Sequence, residues 1–237
     1  IAVCQPSRSV MLTGRYPHRN GARGFEAIRD DIPTLSDELH KAGYVNGILG
    51  KVDHLAPARR FAWDVRVGPT ELGHGRVPRR YREEVRSFLK LAKERRRPFF
   101  LMANSHDPHR PFAGSDQERR VAKKFNRTYP KADRTFKPDE VTVPGFLPAS
   151  LPEVRLEIAE YFASVHRCDQ TVGVILDELR SAGLEHNTVV MFLSDHGMAL
   201  PFAKTNVYLA STKIPWIVRW PGRVSPSRVD SKHFVSA

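Results

Sequence analysis

Long apolar stretches are missing from this sequence, and no run approaches the roughly 20 apolar residues that a helix needs to cross a bilayer. No signal peptide is recognisable either. The sequence opens at Ile1, without an initial methionine, and reaches its most distinctive motif almost at once. We therefore expect a fragment that is truncated at both ends, and the missing signal carries little weight for its compartment.

Cysteine is scarce, since Cys4 and Cys168 are the only two in the chain. Two cysteines cannot build the disulfide framework that stabilises small secreted proteins. The sequence therefore indicates no redox compartment, and each cysteine has to be interpreted from its local pattern.

Acidic residues are in deficit, with 26 Asp and Glu against 38 Lys and Arg, which gives a formal net charge of +12. This excess favours anionic partners such as nucleic acid, anionic lipid or a sulfated polysaccharide. The basic clusters lack the interleaved aromatic residues that stack on bases, so nucleic-acid binding is not expected. Most of the clusters are interpreted as solvated faces: Arg79-Arg80, Arg95-Arg96-Arg97, Arg119-Arg120 and Lys123-Lys124.

Helical and strand patterns alternate along the 237 residues, which are enough for one sizeable core. The predicted helices are 35–42, 80–95 and 152–183, the last with a candidate kink at Gly173, and the predicted strands are 44–49, 98–103, 189–194 and 216–220. The segment 110–151 shows little periodicity and is predicted to be a long irregular loop over the site. The alternation predicts an α/β fold, a mostly parallel sheet with helices on both faces.

The N-terminal segment carries the most specific pattern, C-x-P-S-R-x-x-x-L-T-G-R, which begins at Cys4. Pro6 predicts an extended stretch that presents the cysteine side chain. Residues 9–13 can then form a short helix ended by Gly14, which would direct N–H groups and the charge of Arg8 at an anion. The pattern predicts a nucleophile in an anion cradle; the competing interpretation is a small buried cysteine that only packs.

Polar residues follow three of the predicted strands: Lys51 and His54 the first, His106 the second, and Asp195 and His196 the third. Ligands bind outside the carboxyl ends of strands in open α/β sheets, so we expect one shared edge with the N-terminal motif. Taken singly, each residue has an ordinary interpretation as a solvated charge, a loop histidine or a helix cap. Their convergence is what favours a functional site.

Asp195 and His196 offer an oxygen and a nitrogen ligand at adjacent positions, which suits a divalent cation. Calcium prefers about six to eight oxygen ligands, so these two residues form an incomplete set. We expect further carboxylates from outside this sequence.

Over nearly the whole chain, these motifs resemble those of the type I sulfatases. The segments G-K-V-D-H at 50–54 and S-D-H-G at 194–197 resemble the iduronate-2-sulfatase branch, whereas H-D-P-H-R at 106–110 and K-T-N-V-Y at 204–208 resemble the heparan N-sulfatase (sulfamidase) branch. Sulfamidase has an arginine at the position of Lys204 and an asparagine at that of His196. The resemblance implies an alkaline phosphatase/sulfatase-like fold, with residues 1–237 forming part of the catalytic domain.

The resemblance also implies cofactors and partners. Cys4 would be oxidised to formylglycine (3-oxoalanine) by a formylglycine-generating or an anaerobic maturation enzyme. Ca²⁺ or another divalent cation would be held by Cys4, Asp195 and His196. The implied substrate is a sulfated sugar such as a glycosaminoglycan, and the implied location is outside the cytosol, in periplasm, lysosome or medium.

Roles for individual residues follow from the same resemblance. One hydroxyl of the hydrated formylglycine would attack sulfur while Arg8 orients it. Lys51, Lys204 and the cation would neutralise the sulfate oxygens. His106, with Lys204, would protonate the leaving oxygen or nitrogen, and His54 would assist the second hydroxyl as sulfate is expelled.

Two other functions stay open at this point. A phosphonate monoester or phosphodiester hydrolase of the same superfamily would use the same nucleophile and metal. A non-catalytic glycan-binding relative would keep Cys4 as a thiol, although the presence of Lys51, His106, Asp195 and Lys204 argues against it. Whichever function the full-length protein has, this fragment could itself be inactive.

Overall fold

A computed structural model describes residues 2–233 and residue 235. The chain packs as two compact units. The first unit comprises Ile1–Tyr44, Asp53–Ala62 and Leu179–Ala237, and the second comprises Val45–Val52 and Trp63–Glu178. Among the described residues no helix has both the length and the apolar content needed to span a membrane.

The second unit is built on a parallel sheet of three strands, β1 (Val45–Leu49), β2 (Val65–Val67) and β3 (Phe99–Ala103), in the order β2-β1-β3. β1 and β3 run in register from Val45 opposite Phe99 to Leu49 opposite Ala103. Every residue of the central strand β1 is buried. The predicted strands 44–49 and 98–103 are thus confirmed as neighbours whose carboxyl ends meet at one edge.

Helix α4 (Pro78–Glu94) lies against β1 and corresponds to the predicted helix 80–95. Pro78 occupies its first position, where the missing N–H costs no hydrogen bond. Phe88 packs directly on Gly47 of β1, and a Cβ at Gly47 would lie 2.6 Å from the Phe88 ring. The glycine therefore allows helix and sheet to approach. The buried face of the helix consists of Tyr81, Val85, Phe88, Leu89 and Ala92.

The prediction of an irregular loop over 110–151 is wrong for part of that range, because α5 (Asp116–Phe125) lies within it. Ser115 caps the helix by accepting a hydrogen bond from the Glu118 N–H at 3.0 Å. Glu118 reaches back to the Gly114 N–H at 2.8 Å, one residue before the cap. This Ser-x-x-Glu capping pattern is readable in the sequence, but the strongly polar composition of the segment concealed it.

Helix α6 (Pro152–Ser181) runs without interruption through Gly173. The predicted helix is confirmed, and no break interrupts it at Gly173. A Cβ at Gly173 would have no neighbour within 4 Å.

In the first unit, two predicted strands form a separate antiparallel pair, β4 (Val190–Leu193) and β5 (Trp216–Arg219). The expectation that all strand ends share one parallel sheet is therefore wrong for the described residues. A parallel pair needs a crossover of a dozen or more residues, usually helical. The link between β4 and β5, which is described throughout, contains the four-residue helix α7 (Leu209–Thr212) and no longer helix of the kind that usually makes such a crossover. β4 is also not fully buried as predicted, since Met191 is exposed.

The other helices of the first unit are α1 (Cys4–Thr13), α2 (Pro17–Asn20) and α3 (Leu35–Lys41). α3 matches the predicted helix 35–42, and the predicted cap is present, with Thr34 accepting a hydrogen bond from the Asp37 N–H. Short 3-10 segments cover Val52–His54 and Ala58–Arg60.

Candidate active site

Cys4 is the first residue of α1 and follows Val3, which has extended backbone angles of φ −137° and ψ 151°. The prediction of an extended segment with a helix only from residue 9 is wrong. Pro6 lies in the first turn, where its absent N–H leaves no helical hydrogen bond unmade. Gly14 ends the helix as predicted, with φ 62°. The cysteine side chain is buried at the start of the helix.

The Cys4 thiol contacts two basic groups. Its Sγ lies 3.2 Å from His196 Nε2 and 3.9 Å from Lys204 Nζ. His196 Nδ1 lies 2.8 Å from the Gly197 carbonyl oxygen, so Nδ1 must be the donor in that hydrogen bond. In the neutral ring Nε2 then carries the lone pair that faces Cys4. The geometry leaves this nitrogen able to accept the thiol proton or to bind a metal.

Asp195 is bound by the first turns of α1. Its Oδ2 accepts hydrogen bonds from Arg8, from Nε at 3.1 Å and from the terminal nitrogen at 2.9 Å, and its backbone oxygen accepts one from Ser7 Oγ at 2.6 Å. Arg8 was predicted to face an anion, and the structure gives it the Asp195 carboxylate as a partner. The ion pair holds residues 195 and 196 beside the helix start.

The charge state of His196 reflects these neighbours. Burial disfavours the imidazolium, but the Cys4 hydrogen bond, the Asp195 carboxylate and the Gly197 carbonyl outweigh it, so the pKa of His196 is raised. A cationic imidazolium next to Cys4 would favour the thiolate over the thiol.

Three potential ligand atoms converge at this point: Cys4 Sγ, a carboxylate oxygen of Asp195 and a ring nitrogen of His196 all lie within 4.8 Å of one another. This is a donor set that fits a divalent cation. It provides one carboxylate only, so the described residues supply part of a calcium shell and not a complete one.

Gly197 lets the segment after His196 pass close to α7. Its N–H donates to the Ser211 carbonyl at 2.8 Å, and a Cβ added to it would overlap the Ala210 carbonyl oxygen. Further along, Thr205 N donates to Ala2 O at 3.1 Å, which places Lys204 beside the start of α1. The glycine is therefore required for the position of His196.

We expect Gly197→Ala to lower the free energy of unfolding by about 3 kcal/mol, because the added methyl has to displace backbone. Urea unfolding of the purified protein measures this. Gly145→Ala is the control, since a Cβ at Gly145 would meet nothing within 4 Å. Equal stabilities of the two variants would contradict the packing argument.

His54 ends the 3-10 segment Val52–His54, and its Nδ1 is buried without a hydrogen-bond partner among the described residues. Its ring stands edge-on to Phe25, with centroids 6.5 Å apart. A buried nitrogen with no protein partner is a place where a water or ligand group can bind.

Lys51 and His106 form a second group of predicted residues, in the second unit. Lys51 follows β1 with φ 56°, and His106 follows the adjacent strand β3. The His106 N–H donates to the Gly75 carbonyl at 2.8 Å, and its ring lies 4.9 Å from that of His109. The expected meeting of these two residues at one sheet edge agrees with the parallel pairing of their strands.

A buried charge network was not predicted. The Asp107 carboxylate contacts both Arg76 and Arg167, and each of these three side chains is only 1% exposed. Arg167 also donates to Glu118 at 3.2 Å, and Arg76 to the His109 carbonyl at 2.9 Å. Arginines are rarely buried, so no sequence signal distinguishes these two from the many on the surface.

Comparison with known proteins decides the family. The sequence profile described as Sulfatase matches residues 2–236. The chain belongs to the sulfatase family. It is 34% identical over 251 residues to the human N-sulphoglucosamine sulphohydrolase, covering 98% of this chain and 46% of that protein. It is 27% identical to the mouse iduronate 2-sulfatase, covering 95% and 52%.

A solved structure from Bacteroides thetaiotaomicron, described under the metabolism of multiple glycosaminoglycans, superposes with a TM-score of 0.68 at 24% identity. It covers 97% of this sulfatase chain and 57% of the other. The likeness confirms the predicted fold class. This chain spans about half the length of the curated relatives it matches. The family in general brings a metal and a formylglycine, and the donor cluster around Cys4 is compatible with both.

Proposed function

We propose that residues 1–237 are part of the catalytic domain of an enzyme that hydrolyses sulfate esters or N-sulfates of carbohydrates. The observation that carries the proposal is the cluster at Cys4. There a cysteine at a helix start lies 3.2 Å from His196 and 3.9 Å from Lys204, beside the paired Asp195 and Arg8. The reaction adds water across the S–O or S–N bond, and it releases sulfate and the free hydroxyl or amine.

Cys4 is proposed to act as formylglycine, made by a formylglycine-generating or anaerobic maturation enzyme. After it adds one water, the aldehyde supplies two hydroxyl groups on one carbon. One takes up the sulfuryl group, and loss of the proton from the other expels sulfate and restores the aldehyde. Cys4, Asp195 and His196 would hold Ca²⁺ or another divalent cation, whose charge would stabilise the sulfate oxygens. The protein groups around them act as fixed charges and proton carriers.

Arg8 is held by Asp195, and Lys204 Nζ lies 3.9 Å from Cys4 Sγ, the atom whose place an oxygen of the formylglycine would take. Such preorganised positive groups stabilise negative charge as it develops on the transferred group. Lys51 is proposed to do the same. His106 is proposed to protonate the leaving oxygen or nitrogen, and His54 to take a proton from the second hydroxyl.

The proposed substrate is a sulfated sugar. The human relative is named for the hydrolysis of N-sulphoglucosamine and the mouse relative for iduronate 2-sulfate, so both an N-sulfate and an O-sulfate are represented among similar proteins. The net charge of +12 would also raise the local concentration of a polyanionic glycan.

The deciding experiment uses the protein purified from its native host. Mass spectrometry of the peptide that carries Cys4 should show an aldehyde or its hydrate. The same preparation, with Ca²⁺ added, should hydrolyse N-sulfoglucosamine or a 2-O-sulfated uronide faster than an aryl phosphonate. An unmodified thiol would favour a non-catalytic glycan-binding protein, and a preference for the phosphonate would assign the chain to phosphonate hydrolysis.

A further inference from the structure

Asn104 has a buried side chain and lies, in the sequence, between Lys51 and His106, the two residues of the second unit that are proposed to act in catalysis. It is 9% exposed and is the first residue after β3, two positions before His106. Its side-chain nitrogen donates to Leu49 O at 3.0 Å, to Gly50 O at 3.1 Å and to Met102 O at 3.2 Å. Three carbonyl oxygens around one amide group fix its orientation, because only the NH₂ end can donate to them.

These contacts cross from β3 to the turn that carries Lys51. Gly50 and Lys51 have φ values of 70° and 56°, so the chain leaves β1 through two successive left-handed residues. A Cβ at Gly50 would lie 2.6 Å from the Asn104 carbonyl oxygen, which shows how closely the turn and Asn104 pack. A non-glycine residue such as Lys51 adopts this backbone region only when the surrounding structure imposes it.

Tyr81 of α4 contacts both Asn104 and Gly75, the residue whose carbonyl oxygen binds the His106 N–H. Its side chain is completely buried, and its hydroxyl lies 2.6 Å from Asn104 O and 3.2 Å from Gly75 O. Gly75 O is also the acceptor for the His106 N–H. A Cβ at Gly75 would lie 2.9 Å from His106 Cβ, so the absence of a side chain at Gly75 lets its backbone approach the histidine closely.

We propose that Asn104 and Tyr81 are positioning residues that set the separation between Lys51 and His106. The inference rests on the proposed function, in which Lys51 stabilises the sulfate oxygens and His106 protonates the leaving group. Asn104 fixes the backbone before Lys51, and Tyr81 fixes both Asn104 and the acceptor of the His106 N–H. A displacement of about 1 Å at such groups can cost 10²-fold in rate.

The test compares Asn104→Ser and Tyr81→Phe with Asn46→Ser. Asn46 is also a buried asparagine of this sheet, but it lies near the amino end of β1. Each variant is assayed on a sugar sulfate, whose alcohol leaves poorly, and on 4-nitrophenyl sulfate, whose phenolate needs no general acid. Asn104→Ser should lower kcat about 100-fold on the sugar sulfate and about 10-fold or less on the aryl sulfate. The kcat values of Tyr81→Phe should lie between those of Asn104→Ser and those of the wild type. Asn46→Ser should lower both rates equally or not at all.

If Asn104→Ser lowered kcat equally on the two substrates, Asn104 would be only a structural residue. The same would follow if Asn46→Ser lowered kcat more on the sugar sulfate than on the aryl sulfate. If the wild type hydrolyses neither of these substrates nor N-sulfoglucosamine, the proposed function fails, and the positioning is then judged from the His106 imidazole signals in NMR spectra. Those signals should shift in Asn104→Ser and Tyr81→Phe but not in Asn46→Ser. Unchanged signals in all three variants would overturn the inference.

Discussion

Cys4→Ser should lower the turnover rate by a factor on the order of 10⁴ or more while the protein remains folded, as removal of a catalytic nucleophile does elsewhere. A serine offers one hydroxyl where the proposed formylglycine offers two. It can accept the sulfuryl group, but it has no second hydroxyl on the same carbon to expel sulfate. Assays under multiple turnover, with circular dichroism to verify the fold, measure the effect.

A single round of transfer should distinguish two variants at this position. Cys4→Ser can become sulfated once, whereas Cys4→Ala has no oxygen to accept the group. Mass spectrometry of each variant after incubation with substrate should therefore find a sulfated peptide only in the serine variant. Multiple turnover by Cys4→Ser would contradict the proposed chemistry outright.

Cys168→Ser is the matched control, because it makes the same substitution at the other cysteine. Cys168 lies on α6, where burial raises the pKa of its thiol to about 11 despite a hydrogen bond with Ser105. Its thiol is therefore protonated at neutral pH and unreactive. The Cys168→Ser protein should retain the turnover rate of the wild type, and a comparable loss would show that the Cys4 result reflects stability.

Local chemistry made much of the fold predictable. Helix α3 begins after Thr34, whose hydroxyl caps it, and α1 ends at Gly14, which takes the left-handed angle that other residues avoid. Strands β1 and β3 were recognisable as short apolar runs that end in polar residues, although only β1 is fully buried and β3 is half-buried along its length. In each case the signal lies within a few residues of the feature that it specifies.

Predictions failed where partners distant in sequence decide the outcome. β4 pairs antiparallel with β5, from Val190 opposite Arg219 to Leu193 opposite Trp216. The apolar composition of the two segments does not specify which strand is the partner or in which direction it runs. Cys4 was expected to be extended because of Pro6, yet the first turn of a helix accepts proline without cost.

At the candidate site, the cluster of Cys4 with Asp195, His196 and Lys204 was predicted from motifs, and the structure places these side chains together. The pairing of Arg8 with Asp195 was not predicted, since each residue had been assigned separately to a ligand. The sequence analysis did not single out Asn104. Its importance comes from three carbonyl groups that no sequence pattern reveals.

Asp107→Asn is expected to lower the free energy of unfolding by about 3–5 kcal/mol, the cost of removing one partner from a buried ion pair. The carboxylate neutralises two guanidinium groups at once, those of Arg76 and Arg167, and none of the three side chains is more than 1% exposed. An asparagine keeps the shape but leaves two buried positive charges facing a neutral amide. Urea unfolding followed by circular dichroism measures the change.

The two arginines respond differently to burial. Burial lowers the pKa of Arg76, and the charge of Asp107 only partly offsets this effect. Burial also opposes the charge of Arg167, but its hydrogen bonds to Asp107 and the further carboxylate of Glu118 raise its pKa overall. Arg76 thus depends most on Asp107, because the contacts described include a hydrogen bond to Glu118 from Arg167 but none from Arg76.

Asp116→Asn provides the control, since it makes the same substitution in an exposed pair. Asp116 contacts Arg119 on the surface of α5, where the two side chains are 75% and 65% exposed. Solvent screens such a pair, and its loss should cost at most about 1 kcal/mol. If Asp107→Asn were no more destabilising than Asp116→Asn, the buried network would not hold the segment around His106.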